Sequence, residues 1–272
     1  VHDVLEKIYA AKAAWLEQER IAESYDVLRE RALESVRGRR PFLDALKRAP
    51  GGAIIAEIKR ASPSAGLIAR SFDPAAIART YDSTGCDAIS VLTERDHFLG
   101  DLSHLEAARA VSQGPLLRKD FLWTRYHIAQ SAAHGADCAL LIVAGLDDEA
   151  LTACMAEARD YALDVLVEVH DVVDLQRASQ AGAQLVGINN RNLRTLETDL
   201  AVSEHLLPQV PPHAFAISES GMRDVSDVAR LKTAGARGYL IGEALMTAGD
   251  PAEAIGALRR YLKGDAATAR AG

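Results

Sequence analysis

The apolar positions of this chain follow two rhythms. Over residues 1–48 they recur at helical spacing: Val4, Leu5, Ile8, Trp15 and Leu16 form one stripe that Lys12 alone interrupts. This predicts a first helix, a second near Ala22–Arg37 and a short third near Phe42–Lys47, before Gly51 and Gly52 punctuate the chain. From Ala53 the rhythm changes to short apolar runs: Ile54–Ile58, Ala88–Leu92, Pro115–Arg118, Cys138–Val143, Val165–Val169, Leu185–Ile188, Ala214–Ile217 and Gly238–Ile241. Amphipathic stretches lie between and after them, namely Pro74–Ser83, Leu102–Val111, Arg125–His134, Asp148–Tyr161, Val172–Ala181, Val225–Ala234 and Pro251–Leu262, with a shorter one near Leu200–Leu207. Strands that are apolar on both faces, separated by helices, predict a parallel sheet covered on its outer face.

The turns repeat as well. Gly85-Cys86-Asp87, Gly135-Ala136-Asp137, Gly182-Ala183-Gln184 and Gly235-Ala236-Arg237 each stand between a helix and the next strand. A glycine there ends a helix in the left-handed conformation. Eight such units favour a closed (β/α)₈ TIM barrel over an open doubly wound sheet, and no G-x-G-x-x-G follows the first strand. The expected organisation is an N-terminal helical extension packed on the barrel (1–48), a catalytic barrel (49–262) and a tail (263–272). The tail is rich in Ala and Gly and is expected to be disordered.

Composition narrows the function. The 272 residues are 49% hydrophobic and 25% charged, with net charge −7 and pI about 5.6. That is a soluble globular profile without the basic face of a nucleic-acid binder. Cys86, Cys138 and Cys154 have neither paired nor metal-ligand spacing, which points to a reducing, cytoplasmic setting. No signal peptide or membrane span is read, because Glu6, Lys7, Lys12 and Glu17 break the first apolar stretch.

In a barrel of this kind chemistry gathers at the C-terminal ends of the strands. Polar residues do collect there, at the spacing of two that shares a face: Glu57 with Lys59, Lys119 with Phe121, Glu168 with His170, Asn189 with Arg191. Any one of them could be a solvated loop charge, and a salt-bridge network at the mouth could account for several. Charges inside apolar strands are nevertheless costly unless they pair. Gly221 and Gly242 follow the seventh and eighth strands. They read either as turn glycines or, with a short helix over Glu243–Thr247, as the phosphate cradle common in such barrels.

The run Glu57-Ile58-Lys59-Arg60-Ala61-Ser62-Pro63-Ser64-Ala65-Gly66 resembles the first-strand motif of the indole-3-glycerol phosphate synthase family of tryptophan biosynthesis. The resemblance continues in order through Ser90–Glu94, Phe98–Gly100, Leu117–Phe121, Leu166–His170, Gly187–Leu193, Ser218–Gly221 and Leu240–Met246. It implies a carboxy-lyase that needs no cofactor or metal. The substrate would be 1-(2-carboxyphenylamino)-1-deoxyribulose 5-phosphate, and the products indole-3-glycerol phosphate, CO₂ and water. By the same resemblance Lys119 is the general acid in ring closure. Glu168 is the base, or stabilises positive charge, during dehydration; Glu57 and Lys59 hold and relay protons; Asn189 orients the substrate. Arg191 and Ser62 hold its anionic groups, and Phe98, Phe121 and Leu193 form the slot for its ring. Ser220, Gly221, Gly242 and the amide of Glu243 cradle the phosphate. Some members carry Ser where this chain has Glu243, so that carboxylate is expected to turn away. The implied partner is a small phosphorylated molecule, with no nucleic acid or membrane. The chain is expected to act as a monomer, at most weakly associated with other tryptophan-pathway enzymes.

Two other readings stay open at this level. A phosphoribosylanthranilate isomerase-like barrel would need a Cys/Asp pair at strand ends where this chain has Glu57 and Lys59. A silent phosphate-binding scaffold would need no carboxylates beside an anion. His170 is expected to be a supporting or solvated residue, and Met155, Met222 and Met246 to be filler. The helix bearing Trp15 is expected to pack across the barrel, with capping of the mouth as a second reading.

Overall fold

The computed structural model describes residues 3–264. Eight parallel strands close into a barrel in chain order: β1 Ala53–Ile58, β2 Ala88–Leu92, β3 Leu116–Lys119, β4 Cys138–Ile142, β5 Asp164–Val169, β6 Leu185–Asn189, β7 Phe215–Glu219 and β8 Gly238–Ile241, with β8 returning to pair β1. The helices are α1 Asp3–Ala22, α2 Tyr25–Ser35, α3 Phe42–Arg48, α4 Pro74–Ser83, α5 Leu102–Val111, α6 Arg125–Ala133, α7 Asp148–Asp160, α8 Val172–Gln180, α9 Ala201–Leu206, α10 Val225–Ala234, α11 Glu243–Thr247 and α12 Pro251–Lys263. The expected strands are all present, with edges moved by a residue or two. The break between α1 and α2 falls at Ser24, whose hydroxyl caps α2 by accepting from the Val27 N–H. Each glycine of the four repeated turns has positive φ, from 79° at Gly85 to 110° at Gly235. Lys263, where the tail is expected to start, still belongs to α12 and Gly264 caps it; the rest of the expected tail, 265–272, lies outside the described residues.

Strand alternation sorts the apolar residues into two cores. Ile54, Ala56 and Ile58 of β1 face the helix ring, whereas Ala53 and Ile55 face the barrel interior with Leu117, Leu140, Leu166, Leu185, Ile217 and Leu240. The N-terminal segment caps this interior core at both ends. Phe42 and Leu46 of α3 join it from the bottom, where the Leu43 N–H donates to Asp164 Oδ2 at 2.9 Å. Leu5 and Ile8 of α1 join it from the catalytic end. Lys12, the lone charge in the α1 stripe, makes a 2.8 Å ion pair with buried Asp120, the residue after Lys119. Trp15 stays partly exposed and donates from Nε1 to Asp96 Oδ2 at 3.2 Å. The helix therefore both packs across the barrel and roofs its mouth.

One feature was not anticipated from the sequence. The loop after β1 folds into a small hairpin, Ala61–Ser62 against Gly66–Leu67. Among the described residues, no helix is long and apolar enough to cross a membrane.

Candidate active site

The alternation that points Ile55 into the barrel carries Glu57 and then Lys59 to the same face. Likewise Leu117 leads to Lys119, Leu166 to Glu168, Leu185 to Asn189 and Ile217 to Glu219. These side chains meet in a cavity of about 730 Å³ at the C-terminal end of the barrel. Every residue singled out in the sequence for catalysis, substrate or phosphate lines it: Glu57, Lys59, Ser62, Phe98, Lys119, Phe121, Glu168, Asn189, Arg191, Leu193, Ser220, Gly221, Gly242 and Glu243.

Lys119 is the hub. Its Nζ lies 2.9 Å from Glu168 Oε2 and 3.1 Å from Glu219 Oε2. Asn189 Nδ2 donates to the other Glu168 oxygen at 3.0 Å, and Asn189 Oδ1 accepts the Arg191 N–H at 3.0 Å, so the amide is held at both ends. In a second pair, Lys59 Nζ stands 3.0 Å from Glu57 Oε1. Burial alone would push the Lys119 ammonium down, but Glu168, Glu219 and Glu57 more than offset it and keep Lys119 firmly protonated. The two carboxyls beside it diverge. Burial raises both, yet Lys119, His170 and the Asn189 hydrogen bond bring Glu168 below the usual carboxylate range. Glu219 stays above that range because burial, helped by the charge on Glu168, outweighs Lys119. Although Glu219 sits at ion-pair distance from Lys119, neither of its oxygens has a well-aligned hydrogen-bond donor. The site thus holds one firmly protonated ammonium, one firm carboxylate and one carboxyl that keeps a proton more readily than usual. Divergent pKa values in neighbouring groups are what acid–base chemistry requires.

Two glycines make room for this cluster. A Cβ at Gly187, on β6, would collide with the Glu219 carboxylate, and one at Gly242 would collide with that of Glu57. Gly242 therefore does more than turn the chain toward α11. Gly187→Ala is expected to lower kcat about tenfold or more by displacing Glu219, since a misplacement of about 1 Å can cost 10²-fold. Steady-state kinetics beside a thermal melt would check this, and an unchanged kcat would show that the position of Glu219 is not critical.

The rest of the cavity is divided by polarity. Phe98 and Phe121, with ring centroids 6.2 Å apart, join Leu193, Leu5 and Ile8 in an apolar wall. At the other side Ser220 and Gly221 both hold positive φ, 64° and 85°, and turn the backbone after β7 beside Gly242. Ser62 Oγ accepts the Ala65 N–H at 3.1 Å, bracing the hairpin at the rim. The half-exposed Glu243 side chain lies 3.7 Å from Arg191 Nη2 at the edge of the site. The guanidinium, whose Nη1 donates to the Leu196 carbonyl at 2.8 Å, supplies the attraction.

The family model described as indole-3-glycerol phosphate synthase matches residues 5–258. The chain belongs to the indole-3-glycerol phosphate synthase family. Proteins of that name resemble it over most of their length. The Streptomyces griseus protein is 42% identical over 93% of each chain, and that of Roseiflexus castenholzii 44% over 91% of this chain and 94% of its own. The Mycolicibacterium gilvum protein is 48% identical over 78% of each. Solved structures support the fold alone. The 3-hexulose-6-phosphate synthase of Salmonella typhimurium has a TM-score of 0.63 at 15% identity, covering 77% of this chain and 98% of its own. Thiamine phosphate pyrophosphorylase of Pyrococcus furiosus has 0.60 at 14%, covering 79% and 98%. Indole-3-glycerol phosphate synthases are carboxy-lyases, so this chain is an enzyme of that type.

Within this synthase-family barrel the sequence missed two contributors to the site. Glu219 stood in the quoted Ser218–Gly221 motif without a role, although its spacing of two from Ile217 already aims it inward. Asp120 was passed over beside Lys119. It accepts from Thr93 Oγ1 at 2.6 Å, lies 3.1 Å from Arg118 Nη2 and pairs with Lys12, so it ties α1, β2 and β3 together next to the hub.

Proposed function

We propose that this chain converts 1-(2-carboxyphenylamino)-1-deoxyribulose 5-phosphate into indole-3-glycerol phosphate, CO₂ and water. The observation that carries this reading is the Lys119 ammonium between Glu168 and Glu219, beside an apolar wall of Phe98 and Phe121. The carboxylated ring carbon attacks the substrate ketone, and Lys119 gives its proton to the ketone oxygen as charge develops there. Loss of CO₂ restores the aromatic ring. The new hydroxyl then leaves as water, while a proton departs from the adjacent carbon. Glu168 acts in this second half, as base or by facing the positive charge on the ring nitrogen. Glu57 and Lys59 relay protons from the other side, and Glu219 is a second donor because it keeps a proton more readily than an ordinary carboxyl. Asn189 orients the substrate. Arg191 and Ser62 hold anionic groups; Ser220, Gly221, Gly242 and the Glu243 amide take the phosphate; Leu193 completes the ring slot. Each step is served by side-chain acids and bases, and no cofactor or metal enters it. The enzyme is read as a cytoplasmic monomer.

Incubation with the carboxyphenylamino-deoxyribulose phosphate is expected to give a rise in indole fluorescence with one CO₂ released per product. Folded protein that leaves this substrate unchanged would refute the reading. Turnover of phosphoribosylanthranilate instead would favour the isomerase alternative.

A further inference from the structure

One largely buried titratable side chain carries no catalytic step above. His170 follows β5 at a spacing of two from Glu168, so its ring falls on the Glu168 side. Nε2 lies 3.4 Å from Glu168 Oε1, the oxygen that also accepts from Asn189. On the other side Nδ1 lies 3.6 Å from Asp174 Oδ2, in the first turn of α8. Asp174 is itself fixed: its Oδ2 accepts the His170 backbone N–H at 3.1 Å, and its own N–H donates to the helix cap Asp171 at 2.8 Å. Both ring nitrogens are buried, and neither has a hydrogen-bond partner among the described residues. An imidazole held between two carboxylates without a conventional hydrogen bond is best accommodated as a cation. His170 is not among the residues lining the cavity, so it acts through another group.

We propose that protonated His170 is a positioning residue for the reaction: clamped by Asp174, its imidazolium holds Glu168 in place and ionised beside Lys119. This rests on the function proposed above. The titratable groups acting on the ring are Asp174 from α8 and Glu168 from β5 at close range, and more weakly Glu219 from β7. Burial would push the imidazolium toward its neutral form, but pairing with Asp174 and the charge of Glu168, with a smaller contribution from Glu219, outweigh it and raise His170 above the ordinary histidine value. The sequence Asp174, His170, Glu168, Lys119 then alternates in sign from the helix terminus to the reacting group.

The test has two arms. In the first, imidazole resonances of ¹⁵N-labelled full-length protein are titrated, with His170→Gln identifying the signal. His170 is expected to stay protonated above the ordinary value of about 6.5, and Asp174→Asn to lower its midpoint. A midpoint at or below that value in wild type overturns the proposal. In the second arm, His170→Gln and His170→Asn are expected to lower kcat about tenfold or more with KM within about twofold. The acid limb of the kcat profile should move to higher pH by about one pH unit, because Glu168 has lost a cation. A purely structural role would not move that limb, and a limb that stays in place overturns the proposal whatever kcat does. Wild type with no turnover would refute the proposed function instead, and the titration arm would then decide the role of His170 alone.

Discussion

Lys119→Ala is expected to lower kcat by about 10³-fold, within the 10²–10⁴ that a positioned general acid typically contributes. The expectation follows from what surrounds the ammonium. Glu168 and Glu219 approach the same Nζ at 2.9 and 3.1 Å, and each side chain is only 1% exposed. Alanine removes the proton donor and also leaves two buried carboxyls without their shared cation. Breaking a buried pair from one side typically costs about 3–5 kcal/mol. Here protonation of Glu219, already raised by burial, relieves part of that, so a loss of about 2 kcal/mol is expected in urea unfolding. Lys119→Arg keeps the charge but not the compact donor and should recover stability far better than rate. Single-turnover assays with inorganic phosphate binding as a control would separate the effects. A kcat within tenfold of wild type for Lys119→Ala would remove this lysine from the proton transfers.

Glu168→Gln should cost about 10²-fold or more in kcat while leaving KM within about threefold. Glutamine preserves the volume and one acceptor, so packing against Asn189 survives. The negative charge is what disappears, and with it the base and the stabiliser of the ring nitrogen. KM should hold because the apolar wall and the Ser220–Gly221 turn are untouched. The pH sign follows from the pairing. Glu168 sits below its unfolded value through Lys119 and His170, so its contribution to stability is complete above about pH 4.3 and is lost as pH falls through the lower folded value. The variant should therefore lose less stability than wild type on acidification. Equal acid sensitivity in the two would mean that Glu168 is not held ionised by its neighbours.

Much of this site was legible because strand alternation is rigid. Once β1 was read as buried on both faces, Glu57 and Lys59 had to share the inner face, and the same logic placed Lys119, Glu168 and Asn189. Glu219 obeyed that logic too, since its spacing of two from Ile217 aims it inward, but its role depends on Lys119 and Glu168 from other strands. Gly187 was legible only as a strand glycine, and Gly242 only as a turn or phosphate-cradle glycine. Their clearance for Glu219 and Glu57 depends on side chains from other strands. The pairing of Glu243 was hidden for a related reason: its partner, Arg191, comes from a loop far away in sequence. Lys12 looked like a flaw in an apolar stripe until Asp120 supplied the other half of the pair. In each case the missing information was a long-range contact, which periodicity does not encode.

The segment that closes both ends of the barrel precedes, along the chain, every strand that it covers. Leu5, Ile8, Phe42 and Leu46 bury against Leu117, Leu140, Ile217 and Leu240, and β1 completes its pairing only when β8 exists. While the ribosome is still producing the later strands, this apolar stripe has no finished surface to cover. Closure of such distant contacts is slow compared with local helix formation. Its apolar side chains are therefore expected to stay exposed until the barrel closes, the kind of transient surface that chaperones shield. The charge of Lys12, which anchors the finished roof to Asp120, also interrupts that stripe where an unbroken run would be most adhesive in an unfinished chain.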